Sequence, residues 1–297
     1  ASKDLWALAE MNVSREQVQR WTKRVGAERV REVKRASEAY EQLSLPARQQ
    51  SPTAQIPPVA CVQMDGGRIQ IRDRQAASPS SASKGYWRES LVGCCLSMTS
   101  EEQSQDPRPT IPQTFVDPRR MNDLSREIKG FSGDVTGTAG PPEESPEEYE
   151  AGPRVLVKSV VATREDMDVF GRQLVAEAYG RGFHAARRKA FVADGSASNW
   201  NVHRQHFSHY TPVLDFTHAV CYVYAAAMAG RQVEDAWQEY CQWAQWLWSG
   251  NLAELIAAVA ARSEILGPPS SDDETSPAAR VAKTLVYLPN QRTRMHY

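Results

Sequence analysis

Lys189-Ala190-Phe191-Val192-Ala193-Asp194-Gly195 is the stretch on which the fold turns. Lys189 to Ala193 reads as a short strand, and it runs directly into Asp-Gly. A second stretch upstream has the same ending: Pro58-Val59-Ala60-Cys61-Val62-Gln63-Met64 is a β-type run closed by Asp65-Gly66-Gly67. A carboxylate at a strand end is held by a rigid scaffold, and the glycine after it lets the backbone turn away so that a ligand can approach. Two such strands side by side would bring Asp65 and Asp194 together. Like charges a few Å apart are costly without a cation between them, and hard oxygen ligands favour Mg²⁺ or Mn²⁺. Two ions about 3.5–4 Å apart would activate an attacking oxygen and stabilise the leaving oxygen of a phosphodiester. Asp-Gly is also ordinary turn chemistry, and that reading stands beside the catalytic one.

Working outward from these two acids, Arg68-Ile69-Gln70-Ile71-Arg72 alternates polar and apolar, as a half-buried strand does. Asp65-Gly66 between two β-runs predicts a hairpin turn there. After a Ser-rich loop (76–83), Tyr86 to Met98 gives a third strand. Thr99 to Pro112 is a polar connection, Asp117 to Phe131 a helix, and Ser132 to Pro153 a Gly/Pro/Glu-rich loop. Arg154 to Ala162 reads as a buried strand. Thr163-Arg164-Glu165-Asp166 forms a capping box that starts a helix with Met167, Phe170, Leu174 and Ala178 facing inward. The 189–193 strand follows, then a strand at Thr211 to Phe216, and the chain after His218 reads as helical. Three antiparallel strands followed by βαβαβ is the order of an RNase H-like α/β core. The expected domains are a basic helical segment and linker (1–56), the core (57–216, with a surface insertion at about 99–153) and a helical insertion domain (217–297).

The N-terminal segment reads as two helices. Ser14-Arg15-Glu16-Gln17 is a capping box, Val18, Trp21 and Val25 form one apolar face, and Gly26 supplies a stop. Val30, Val33, Tyr40 and Leu43 stripe the second helix. Between Arg15 and Arg35 there are eight Lys/Arg against three Glu, while Glu143 to Glu150 is an acidic run. Arg15, Arg20, Lys23, Arg24, Arg31, Lys34 and Arg35 are therefore candidates for contact with DNA phosphates, with ordinary solvated helix faces as the alternative. Trp237, Trp243, Trp246 and Trp248 crowd one helix, where core packing is favoured over base stacking. His203, His206 and His209 step by three, so all three cannot share a helix face, and a zinc site there is disfavoured. Asp215 and His218 sit at a strand-to-helix junction. They fit a helix cap with a hydrogen-bonded histidine.

The net charge of −1 over 297 residues, with 41% hydrophobic and 24% charged residues, is that of a globular protein. Five cysteines without a CxxC spacing argue against a disulfide framework or a cysteine zinc site, and favour a reducing cytoplasm. The apolar-rich run from Ala219 to Ala229 is too short for a bilayer, and Lys3, Asp4 and Glu10 interrupt any signal-peptide core. Phosphate-loop, dinucleotide-binding and serine-hydrolase motifs are absent.

Several blocks together resemble bacterial insertion-sequence transposases of the ISKra type. They are Met64-Asp65-Gly66-Gly67-Arg68, Gly85-Tyr86-Trp87-Arg88-Glu89, Phe191 through Trp200, Pro212-Val213-Leu214-Asp215-Phe216-Thr217-His218-Ala219 and Tyr222 to Ala227. The likeness spans about residues 10 to 297 and is dense from Asp194 onward. It implies a DDE transposase with an RNase H-like core and a helical insertion before the last acid, Asp65 matching the first acid and Asp194 the second. It further implies two Mg²⁺ or Mn²⁺ ions, double-stranded DNA as partner, assembly as a homodimer or larger on DNA, and a bacterial, nucleoid-associated setting. For the Asp-x-x-His pattern of Asp215 and His218 it implies a site beside those metals. The third acid of that family is a glutamate in a Ser-rich motif after Asn-Gln-Arg-x-Arg-Met-x-Tyr, which here is Asn290 to Tyr297. Glu234, Glu239, Glu254 and Glu264 do not match that context, so the chain is expected to lack the third acid and to be inactive or barely active alone. An RNase H-like nuclease and a non-catalytic DNA-binding relic are the rival expectations.

Overall fold

A computed structural model describes residues 13–71, 86–131, 152–270 and 273–297. The Ser-rich loop at 76–83 and the acidic run Glu143 to Glu150 lie outside the described residues. The elements in chain order are α1 (Arg15–Gln42), α2 (Leu45–Arg48), β1 (Val59–Ile71), β2 (Tyr86–Thr99), α3 (Pro118–Lys129), β3 (Arg154–Thr163), α4 (Met167–Gly180), β4 (Arg188–Ala193), α5 (Ala197–His206), β5 (Thr211–Leu214), α6 (Phe216–Ala227), α7 (Val233–Trp248), α8 (Leu252–Leu266) and α9 (Pro277–Gln291). The fold is α/β, with one mixed five-stranded sheet in the order β3-β2-β1-β4-β5.

The expected hairpin at Asp65-Gly66 does not form. Residues 59–71 run as one continuous strand through both glycines, so Asp65 lies mid-strand and not at a tip. β1 has a bonded neighbour on each side, β2 and β4. Two ladders outweigh the weak strand preference of Gly66 and Gly67. A Cβ at Gly66 would stand 3.3 Å from Glu89 Oε1, so the missing side chain lets β2 lie close. The three leading strands are thus β1, β2 and β3. β3 is an edge strand, and its first half is not buried as expected: Leu156 is 58% exposed.

The chain divides into two compact units. The first comprises residues up to 62, 66–97 and 156–189. The capping box at Ser14 and Gln17 forms as expected, but the helix it starts does not stop at Gly26. One glycine costs about 1 kcal/mol in a helix interior. Good helix formers on both sides and pairs such as Arg24–Glu28 (3.3 Å) carry α1 past it. Trp21 and Val25, expected on a buried face, are exposed. The second half of α1 is tied to α4 through Arg29–Glu177 (3.4 Å) and Glu41–Arg172 (2.8 Å). α4 starts at Met167, later than the Thr163 box predicts, because Thr163 is still the last residue of β3 and Asp166 is the cap that accepts from Val169 N. Phe170, Leu174 and Ala178 are buried as expected. Gly93 of β2 is required by this packing, since a Cβ there would be 2.6 Å from Leu174 Cδ1. Arg181, just past α4, pins β2 to β3: its guanidinium donates to Cys95 O, Ser97 Oγ, Ser159 Oγ and Val157 O.

The second unit comprises Gln63–Asp65, 98–155 and 190–297. Its centre is α6, whose residues Ala219, Val220, Cys221 and Val223 to Ala227 are buried. α3, α7 and α9 pack on it. Tyr240 of α7 donates to Phe115 O (2.7 Å), and Thr284 of α9 donates to Tyr222 O (3.1 Å). The tryptophans of α7 serve packing: Trp243 is buried, and Trp248 donates from Nε1 to Arg108 O at 2.7 Å. Among the described residues no helix is long and apolar enough to cross a membrane.

Candidate functional site

β4 and β5 pair in parallel with Ala193 opposite Leu214, and Asp215 N donates to Ala193 O at 2.8 Å. Asp194 and Asp215 therefore follow directly on paired residues, at the carboxyl ends of strands about 4.8 Å apart. Open α/β sheets bind ligands in this crevice. Asp65 comes from β1, the other neighbour of β4, and the short stretch Gln63–Asp65 belongs to the same compact unit as Asp194. Asp65 is exposed, while Asp194 and Asp215 are half-buried.

Each strand-tip acid is oriented by the helix that follows it. Asp194 Oδ1 accepts from Ser196 N (2.8 Å) and from Asn199 Nδ2 (2.7 Å), at the start of α5. No described group donates to Oδ2, which leaves that oxygen for a ligand. Asp215 caps α6: Oδ1 accepts from Thr217 N (2.9 Å), and Oδ2 meets His218 Nδ1 (2.9 Å). The pair thus takes the helix-cap arrangement with a hydrogen-bonded histidine. Burial pushes the Asp215 carboxyl up, but the bonds from His218 and Thr217 outweigh it and hold the group below its ordinary value. The same bond raises His218 against the opposing effect of burial, with Asp194 adding to the rise. His218 Nε2 has no partner among the described residues.

Behind the tips stands an aromatic column. Tyr222 of α6 and Tyr287 of α9 stack at 3.8 Å with 18° between their planes. Tyr287 lies against Gly195, where any Cβ would overlap its ring, and Gln291 Nε2 donates to Gly195 O at 3.2 Å. The Lys129 ammonium sits 3.5 Å from the centroid of the Tyr222 ring. Burial lowers Lys129 to about 8, against the Cys221 thiol and the Asp194 carboxylate, which favour its charge. A cavity of about 530 Å³ opens beside the column, with Gly195, Tyr222, Tyr287 and Gln291 in its wall.

Among the described residues no group of three or more His, Cys, Asp or Glu side chains is arranged to hold a metal ion. Mg²⁺ does not need such a cage, since it keeps several waters and is commonly held by one or two carboxylates plus substrate phosphate. The free Asp194 Oδ2 and the exposed Asp65 carboxylate fit that mode. The histidines of the 203–209 series make separate contacts: His203 Nε2 meets Tyr210 O (2.9 Å) and its ring packs on Phe191, while His206 and His209 lie edge-on to Phe207 and Tyr210. Glu254 and Glu264 are exposed, and Glu239 pairs with Arg231. The seven basic residues named on α1 are all exposed. Sequence reasoning did not reach Lys129, Asn199 or the Tyr222–Tyr287 pair. Lys129 ends a helix before Gly130, where a lysine is ordinarily a solvated partner of the helix dipole, so its spacing carries no signal. The chain matches no protein-family model, no curated protein and no solved structure.

Proposed function

We propose that this chain carries the active centre of a DNA transposase of the DDE kind, on an RNase H-like core, with Asp65 and Asp194 as the metal-holding acids. The observation that carries the reading is the neighbourhood of β1 and β4, which sets two acids remote in sequence on adjoining strands. The strand order with β1 central and parallel β4–β5 at one side supports the RNase H-like reading.

Mg²⁺ or Mn²⁺, when bound, supplies a Lewis acid that activates the attacking oxygen and stabilises the leaving one. The protein's own share is orientation. Ser196 N and Asn199 fix Asp194 through Oδ1, so its carboxylate would hold a metal without rotamer searching. Asp215 fixes the His218 ring through Nδ1, so Nε2 is the nitrogen that can give a proton to, or take one from, an oxygen of the reacting phosphate. Gly195 keeps the turn after Asp194 flush against Tyr287. The exposed cations of α1 supply phosphate contacts away from the reacting bond, and self-association on DNA would pair two such centres.

Mn²⁺ titration followed by water-proton relaxation tests the centre directly. Asp65→Asn and Asp194→Asn should each weaken Mn²⁺ uptake by at least about tenfold, and His206→Ala should leave it unchanged. Equal uptake by wild type and both aspartate variants removes the metal centre and the transposase reading with it. Nicking of supercoiled DNA without strand joining would favour the hydrolytic RNase H-like alternative.

A further inference from the structure

We propose that Lys129 is a phosphate-binding residue, whose ammonium seats a phosphate oxygen beside the carboxylates at the tips of β4 and β5. The proposal rests on the reading above and names a contact to the substrate's anionic group that the reading does not contain.

Lys129 is the last residue of α3 and folds inward over Tyr222 instead of outward to water. Its Nζ lies 3.5 Å from the Tyr222 centroid and 5.9 Å from that of Tyr287. The Tyr287 ring in turn rests on Gly195, next to Asp194. The ammonium is therefore positioned by three elements, α3, α6 and α9, and its distance from the strand tips is set by stacked rings and not by a flexible stem. No carboxylate among the described residues reaches it within ion-pair distance. A half-buried ammonium without a counterion is expensive, and a ring face recovers only about 0.5–2 kcal/mol. An ammonium has three donors, and a ring face uses at most one of them.

The Tyr287 and Tyr297 hydroxyls are fully buried without a partner, and burial raises both phenols above their ordinary value, so neither supplies a counter-charge for the lysine. An acceptor-only anion with several oxygens, arriving from solvent, gives the Lys129 donors the partner that the protein does not. The shared chemistry is a phosphate group, carried by a nucleic-acid backbone or by a free phosphate.

The test is fluorescence anisotropy of a labelled 20-base-pair duplex across a series of salt concentrations, in Mn²⁺, with inorganic pyrophosphate as competitor. Lys129→Met should weaken duplex binding about tenfold and lower the salt slope by about one ion. Lys129→Arg should recover most of the loss, and Lys158→Met, on exposed β3, should change neither quantity. Displacement of the duplex by pyrophosphate in wild type but not in Lys129→Met assigns the site to free phosphate; resistance to pyrophosphate assigns it to the backbone. Unchanged affinity and slope in Lys129→Met overturn the proposal. So does equal weakening in Lys158→Met, or a failure of both Lys129→Met and Lys129→Gln to fold, which would make the lysine structural. Mn²⁺ uptake on the same variants separates the two claims: its loss in wild type sinks the metal centre, while its retention in Lys129→Met with DNA binding unchanged sinks only the lysine.

Discussion

Asp215 Oδ2 and His218 Nδ1 meet at 2.9 Å across one turn of chain at the head of α6, joining a helix cap to a titratable ring. The contact lowers the carboxyl and raises the imidazole. A raised histidine contributes stability that is fully present below its unfolded value of about 6.5 and is lost as pH rises through its folded value. A depressed aspartate contributes stability present above about 3.9 and lost as pH falls through its folded value. The pair therefore supports the fold most between about pH 4 and 6.5, with both groups charged. Asp215→Asn should lower the His218 titration midpoint, read from its ring proton shifts in NMR, and should destabilise the protein more at pH 5.5 than at pH 8.5. A midpoint that does not move would mean the bond is not made in solution.

Gly195→Ala should cost about 1–3 kcal/mol in urea unfolding, because the added methyl overlaps a Tyr287 ring that is stacked on Tyr222. Gly67→Ala, where nothing lies within 4 Å, should cost far less. Equal costs would mean that the Tyr222–Tyr287 stack gives way easily.

Arg181→Met should destabilise by about 2–4 kcal/mol, since four acceptors on β2 and β3 lose their donor at once. The loss should show as faster hydrogen exchange in β3 before β1, because β3 has a bonded neighbour on one side only. Uniform acceleration across the sheet would contradict a local pin.

Trp21→Ala should change stability by no more than about 0.5 kcal/mol, since the ring is 49% exposed and the helix around it is solvated. A loss of several kcal/mol in thermal unfolding would show that the ring is covered in solution.

That last case shows where sequence reading ran out. Val18, Trp21 and Val25 have the spacing of a buried face, but period reports only that residues share a side, not that anything packs there. Gly26 and Asp65-Gly66 misled in the opposite direction. Each is a local break signal of about 1 kcal/mol, and each was overridden by its surroundings: continuous helix formers in α1, and two flanking strands around β1. The parts read correctly were those where local chemistry and long-range packing agree. Ser14 caps its helix, a helix starts at Asp117, Phe170 and Leu174 are core, and the 189–193 strand leads into Asp194. Of the candidate site, Asp194, Asp215 and His218 were legible because each sits at a strand end or a cap. Lys129 and Tyr287 were not, since only the tertiary stack brings α3 and α9 to the tip of β4.

α1 has one further consequence. At 28 residues and 1.5 Å each it is a rod about 42 Å long, with ion pairs to α4 at Arg29 and Glu41 in its second half. From Gln19 to Glu32 no residue is even half-buried, and the one residue of weakest helical preference, Gly26, falls in the middle of that span. Gly26 is thus the point at which the rod would first bend.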